Sequence, residues 1–355
     1  MCRRFAVRMR NPSMNDLKPS AFVFMFFVLC WVVPRNGLAV TIPTVPVGNP
    51  GNLPDTTGYG SVSYHYRIGT TEVTNTQYAE FLNAKAASDP LELFSRGMEI
   101  AFWGGITRSG SDGNYTYATK ANMGNKPVKS VSWYDAIRFA NWLHNGQGSG
   151  DTETGAYTLL GGTPVPSNGD SITRNAGATW FLPSRDEWYK AAYHQPALQG
   201  GDVDDYWLYP TASNTVPIPA TADSVGNISN PGANVANYDR GTDWNGSFFG
   251  NVTTVGSAGP FSDSFYGTAD QGGNLVEWNE ALMSGSRGFG GGSFFSTGAL
   301  GLQSSSQDFG NPTEEYANVG FRVASVPEPS AYLLGAFALF GLLAFGRGAR
   351  RLRER

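Results

Sequence analysis

Only three stretches of this chain carry the pattern of a helix start, and each directly follows a short extended apolar segment. Thr74-Asn75-Thr76-Gln77 sets a capping hydroxyl three residues ahead of a side-chain amide, with Tyr78, Phe81 and Leu82 following at helical spacing. Ser132-Trp133-Tyr134-Asp135 repeats the pattern with aspartate in the reciprocal position and precedes Ile137, Ala140 and Leu143. Ser184-Arg185-Asp186-Glu187 is the third, leading into Trp188, Ala191 and Ala192. The extended segments ahead of them are 66–73, 127–131 and 179–182. Forty-five glycines and 21 prolines fill what lies between, which argues for loops and short strands, the latter expected around 289–295 and 319–323. Such a chain reads as α+β with much irregular backbone.

The two ends have a different character. Arg3, Arg4, Arg8, Arg10 and Lys18 precede an apolar stretch over 21–33, which suits a secretory signal and is too short for an ordinary membrane span. Small residues at Gly37-Leu38-Ala39 place the mature start near Val40, so 1–39 is read as signal peptide and 40–60 as a Pro/Gly/Thr-rich linker. The domain proper is expected over 61–325. At the other end, Pro327-Glu328-Pro329 is followed by apolar residues to Phe345 and then by Arg347, Arg350, Arg351, Arg353 and Arg355. This 326–355 segment resembles a PEP-CTERM sorting tail, which implies an exosortase-type processing enzyme as a partner. It also implies a short transmembrane helix with its arginines held inside. As a helix, its apolar part would reach about 22 Å against a hydrocarbon core of about 30 Å, which suits transient anchoring.

Charge narrows the partners of the body. The chain has 25 basic and 29 acidic residues, of which the two ends hold eleven and three, leaving the body at a net −12. That balance argues against nucleic acid and anionic lipid, and suits a hard cation such as calcium. The only cysteines, Cys2 and Cys30, lie in the N-terminal segment, so the body has neither a disulfide nor a thiolate metal site.

Six motifs in order then define a resemblance. They are Gly69-Thr70-Thr71-Glu72-Val73-Thr74-Asn75, Pro127-Val128 through Val131-Ser132-Trp133, Leu182-Pro183-Ser184 with Glu187-Trp188, Gly272-Gly273-Asn274-Leu275-Val276-Glu277-Trp278, Gly290-Gly291-Gly292-Ser293-Phe294, and Val319-Gly320-Phe321-Arg322. Together they resemble formylglycine-generating enzymes, the sulfatase-modifying factors. The resemblance implies a loop-rich α+β domain related to C-type lectin-like folds, with a shallow surface groove.

It also implies where the chemistry should sit, and the thiols are missing there. The family oxidises a substrate cysteine with two cysteines of its own, whose positions fall at Ser296 and Gly301. Serine and glycine cannot hold Cu(I) as thiolates do, so neither copper nor the oxidase activity is expected. Ser293 matches a serine of the family's groove, while the usual arginine before Gly-Phe-Arg is matched by Gln307. The resemblance further implies a structural calcium, with Asn274 and Glu277 as side-chain ligands and Gly272 and Leu275 as carbonyl donors. A second calcium would start at Asn234 and Val235, its acid unassigned because Asp243 and Asn245 lie in an insertion.

Other chemistries have weaker support. Some relatives bind iron through histidines, but His65, His144 and His194 are far apart in sequence, and the last two fall at helix ends where a histidine caps carbonyls. No Gly-x-Ser-x-Gly elbow marks a serine hydrolase. Trp133, Trp180, Trp188 and Trp278 are expected in the core. Tyr206, Trp207 and Tyr209 are expected to form an exposed stacking surface, joined by Phe248, Phe249, Phe265 and Tyr266. The reading is an exported, surface- or matrix-targeted binding module for a surface polysaccharide or an exported protein. Its alternatives are a divergent metal-dependent oxidoreductase built on the histidines and Ser293, and a structural matrix component.

Overall fold

Among the described residues, three capping boxes start the three α-helices, each at the position its sequence dictates. In the computed structural model, which describes residues 39–326, α1 spans Asn75–Lys85, α2 Trp133–His144 and α3 Arg185–Tyr193. Thr74 N donates to Gln77 Oε1 at 2.8 Å and Gln77 N returns to Thr74 Oγ1 at 3.3 Å. The Ser132/Asp135 and Ser184/Glu187 pairs close in the same way, so the two orphan donors at each helix start are satisfied locally.

Among the described residues, two four-stranded sheets carry most of the strands, and two two-stranded ones pair Ile106–Ser109 with Thr116–Thr119 and Ile218–Pro219 with Val235–Ala236. The first runs in the order Thr44–Val47, Tyr66–Gly69, Ala324–Ser325, Trp180–Phe181, all antiparallel. The second runs Gln307–Gly310, Ser286–Gly290, Val276–Met283, Val319–Gly320, its last pair parallel. Strands are therefore found near both expected positions, though 289–295 yields a strand only up to Gly290, where the glycine-rich turn begins. With short helices, short strands and long connections, the architecture is the α+β, loop-rich fold expected.

One expectation on organisation is corrected. The stretch 40–60 is part of the fold and not a linker: Thr44–Val47 pairs with Tyr66–Gly69, and Val40 exchanges two hydrogen bonds with the Gln147 side chain at 2.6 and 2.8 Å. Its prolines and glycines suit an edge strand and turns as well as they suit a linker, and composition alone does not separate the two. The signal-peptide and sorting-tail expectations fall outside the described residues. Among the described residues, no helix is long and apolar enough to cross a membrane.

The core joins the motifs. Tyr78 and Phe81 of α1 meet Phe139 of α2 and Phe321 in an aromatic cluster with ring centroids 5.4 to 6.3 Å apart. Trp133 Nε1 donates to Asn279 O, and Trp278 Nε1 donates to Val131 O, both at 2.9 Å, so the start of α2 and the Val276–Met283 strand lock to each other reciprocally. Trp133, Trp188 and Trp278 are fully buried, as expected, and Trp180 is half-buried against the same core. Two glycines bring the Gly-Gly-Asn and Gly-Gly-Ser turns together. Gly273 (φ +95°) and Gly291 (φ +99°) are left-handed, a Cβ on either would lie within 2.5 Å of a backbone oxygen, and Gly273 N donates to Gly291 O at 2.7 Å.

Candidate functional site

Beyond Gly291 the chain turns sharply, and that turn builds the site. Ser293 N donates to Ser296 Oγ and Ser296 N returns to Ser293 O, both at 3.0 Å. Phe294 N is held by Asn274 O at 3.0 Å. The Ser293 hydroxyl oxygen accepts from Phe295 N and Asn318 Nδ2, both at 3.3 Å. Gly301 sits opposite: a Cβ there would lie 3.6 Å from Ser296 Oγ, in ordinary van der Waals contact. The structure thus brings Ser293, Ser296 and Gly301 together. Gln307 lies in the Gln307–Gly310 strand, and its Nε2 bonds only weakly to Ser304 O at 3.5 Å.

A groove of about 240 Å³ opens beside this turn, lined by Trp103, Phe294, Phe295, Ala317 and Asn318. A loop after Tyr238 forms its rim. Asp239 and Arg240 are successive non-glycine residues in the left-handed region (φ 58° and 60°), pinned there by bonds from Asp239 N to Ser296 O and from Arg240 N to Phe294 O at 2.8 and 3.0 Å. The loop then places Phe249 6.2 Å from the Trp103 ring and 5.7 Å from Phe295, with Phe248 81% exposed beyond it. Arg240 stacks over both Phe249 and Phe295, at 5.3 and 4.8 Å from the ring centroids. Behind the groove, Lys129 is buried with its Nζ 5.0 Å from the Phe294 centroid and 5.8 Å from Trp103. Its one hydrogen bond, to Asn251 Oδ1, is long at 3.4 Å, and burial pushes its ammonium down to about 7.

A larger cleft, about 630 Å³, lies elsewhere, among Asp89, Arg108 and Glu315. It touches none of the six motifs. Its carboxylates are engaged, Asp89 by Leu93 N and Phe94 N and Glu315 by the Ser95 hydroxyl. The smaller groove, bordered by the glycine-serine turn, is the better candidate.

The side chains that the resemblance implies for calcium are engaged with protein partners in this structure. Both Glu277 oxygens are taken by Arg322 at 2.6 Å, and Oε2 also accepts from Trp188 Nε1 at 2.7 Å. Asn274 Oδ1 accepts from Thr253 N and Asn237 Nδ2, and the Leu275 side chain packs in a core cluster. Gly272 lies against Pro210. At the second position, Asn234 Oδ1 accepts the Thr211 hydroxyl and Val235 N donates to Ser262 Oγ. Asn245 bonds to Phe102 O. Among the described residues no three His, Cys, Asp or Glu side chains are grouped to hold a metal. This donor set does not fit calcium as arranged, because a guanidinium already neutralises the one carboxylate.

The histidines are equally dispersed. His65 is exposed, His144 Nδ1 bonds Thr179 and ends α2, and His194 caps α3 with its Nδ1 on the Tyr266 hydroxyl at 2.7 Å. Burial and nearby Lys190 push His194 down to about 4. Neither Ser293 nor Ser296 hydrogen-bonds to a histidine or carboxylate, so neither hydroxyl has a base to activate it.

The stacking surface is corrected. Tyr206 and Tyr209 are buried, the first bonded to Asn52 and Leu53 O, and Trp207, Phe265 and Tyr266 are half-buried. A polar loop composition around them hid contacts to segments far away in sequence. Only Phe248 and Phe249 are exposed, and they adjoin the groove. Trp103, Asn318, Lys129 and Arg240 were not singled out by sequence. Asn318 directly precedes a motif and Phe294 lies within one, whereas nothing local marks Trp103 or Arg240.

The sulfatase-modifying factor enzyme 1-like domain family matches residues 60–326. No curated protein matches the chain. Among solved structures, it is similar to Treponema denticola variable protein 1 (18% identity, 81% of this chain and 96% of that one, TM-score 0.47). It is also similar to CarF (22%, 82% and 100%, 0.48) and to PvdO from Pseudomonas aeruginosa (15%, 81% and 92%, 0.40).

Proposed function

Because the chain belongs to the sulfatase-modifying factor enzyme 1-like domain family over residues 60–326, we propose that it uses that scaffold for binding, without thiol oxidation. The observation that carries this reading is the pair Ser296 and Gly301. They face each other at the positions that resemble the family's two cysteines, and supply a hydroxyl and a hydrogen where soft thiolates would be needed. The groove beside them is apolar and rimmed by exposed phenylalanines, which suits recognition more than chemistry. We read the protein as exported through its 1–39 segment and sorted by an exosortase-type enzyme at its Pro327-Glu328-Pro329 tail, to act at the cell surface or in the matrix. Structural support at Glu277 comes from Arg322, and no step is assigned to calcium.

The test uses the full-length chain in mild detergent with Cu(I), oxygen and a cysteine-containing peptide, followed by hydrazide labelling of any aldehyde. No aldehyde above the protein-free control is expected; its formation would overturn the reading. Export is tested by intact mass after expression in an exosortase-bearing host, where a product beginning near Val40 and ending near Val326 is expected.

A further inference from the structure

Resting on that binding reading, we propose that the groove takes a polypeptide segment whose apolar side chain enters between Trp103 and Phe295 and whose adjacent acidic residue meets Arg240. Three observations choose this occupant. The groove, at about 240 Å³, lies below the roughly 300–1,000 Å³ of small-molecule pockets, so it accommodates one side-chain-sized group. Its lining side chains offer only two polar groups, both engaged: Asn318 donates to Ser293 and the Trp103 indole N–H donates to Ser247. A sugar ring would bring several hydroxyls into it and leave them unpaired, a cost that an aromatic or aliphatic side chain avoids.

Charge supplies the third. The body carries a net −12, yet the two cations touching the groove's rings form no ion pair among the described residues. Arg240 is held over Phe249 and Phe295 with its Nε buried and unpartnered, and Lys129 stands behind Phe294 and Trp103. The left-handed backbone at Asp239 and Arg240 fixes that guanidinium at the rim. A guanidinium stacked on apolar rings at the mouth of an apolar slot fits a carboxylate next to an apolar anchor.

The test is a ligand-observed NMR titration of the full-length chain with acetyl-Gly-Phe-Glu-Gly-amide and its Phe-Lys counterpart, at low salt. The acidic peptide is expected to bind roughly fivefold more tightly, the scale of a partly exposed ion pair, and the margin should shrink at high salt. Arg240→Asn, a residue type that tolerates the left-handed backbone, should abolish the preference while leaving thermal stability intact. Phe295→Ala should weaken both peptides. Equal binding of the two peptides by the unaltered chain overturns the acidic-partner proposal and leaves the groove reading standing. If neither peptide binds but neutral or uronate oligosaccharides do, the partner class is overturned and the groove survives. If none of these binds, both fail.

Discussion

Arg322 grips Glu277 with both ends of its guanidinium: Nε to Oε2 and Nη2 to Oε1, each at 2.6 Å, with both side chains fully buried. The same arginine donates to Gly69 O and Ala269 O at 2.9 Å. The last motif is thereby tied to the first and to the glycine-asparagine turn. Glu72 belongs to the same buried group, its two oxygens unpartnered, and burial with Asp270 and Glu277 nearby raises it well above the usual carboxylate range.

Removing one partner of such a pair leaves an uncompensated buried charge. Glu277→Ala is expected to cost about 3–5 kcal/mol of stability in urea unfolding. The loss should be the same in calcium and in chelator, because the carboxylate's partner is Arg322. A loss seen only in calcium would restore Glu277 as a metal ligand.

The facing of Ser296 and Gly301 makes a second expectation. A Cβ at 301 meets nothing closer than 3.6 Å, so cysteine fits there without displacing backbone. Ser296→Cys with Gly301→Cys should bind close to one equivalent of Cu(I), or close a disulfide when oxidised without metal. Either single variant should do neither. Two thiols that both react freely with a maleimide after oxidation would show that these positions do not face each other.

Asp135 carries a pH dependence into the start of α2. Burial pushes its carboxyl up to about 7, although Ser132 and Arg138 oppose the shift. A folded pKa above the unfolded value of about 3.9 means that its contribution is fully present below pH 4 and is lost as pH rises through 7. Other buried acids, including Asp270, are raised in the same sense, so the difference between wild type and Asp135→Asn is the quantity to measure. Melting temperatures between pH 4 and 8 should fall more steeply for the wild type. Parallel curves would mean that Asp135 titrates normally.

The parts legible in the sequence were those with a local cause. Each capping box needs only residues three apart, and all three helices begin where Thr74, Ser132 and Ser184 placed them. The motif order identified the family, and the spacing from the glycine-serine turn brought Ser296 and Gly301 to one point. What escaped was set by distant partners. Glu277 read as a calcium ligand because nothing near it announces Arg322, 45 residues on. Tyr206 read as exposed because its partners, Asn52 and Leu53, lie more than 150 residues away. The groove's own wall escaped for the same reason, since Trp103 reaches it only by way of Ser247 and Phe249.

Lys129 offers the sharpest energetic test of the groove's electrostatics. Its folded pKa of about 7 lies below the unfolded value of about 10.4, so between those values the unfolded chain binds more protons and stability rises with pH. Below pH 7 the full cost of burying the ammonium is borne, with only Asn251 Oδ1 and two aromatic faces to offset it. Lys129→Met, similar in length and uncharged, should therefore stabilise the protein by on the order of a few kcal/mol at pH 6. That gain should decline steadily as pH rises from about 7 toward about 10.4, above which the wild-type lysine is neutral in both states. The same variant should narrow the preference for the acidic peptide, more at pH 6 than at pH 9, because only the charged amine reinforces Arg240. A gain independent of pH would mean that the ammonium is solvated, and Lys129 would then drop out of the groove's electrostatics, leaving Arg240 alone to select the partner.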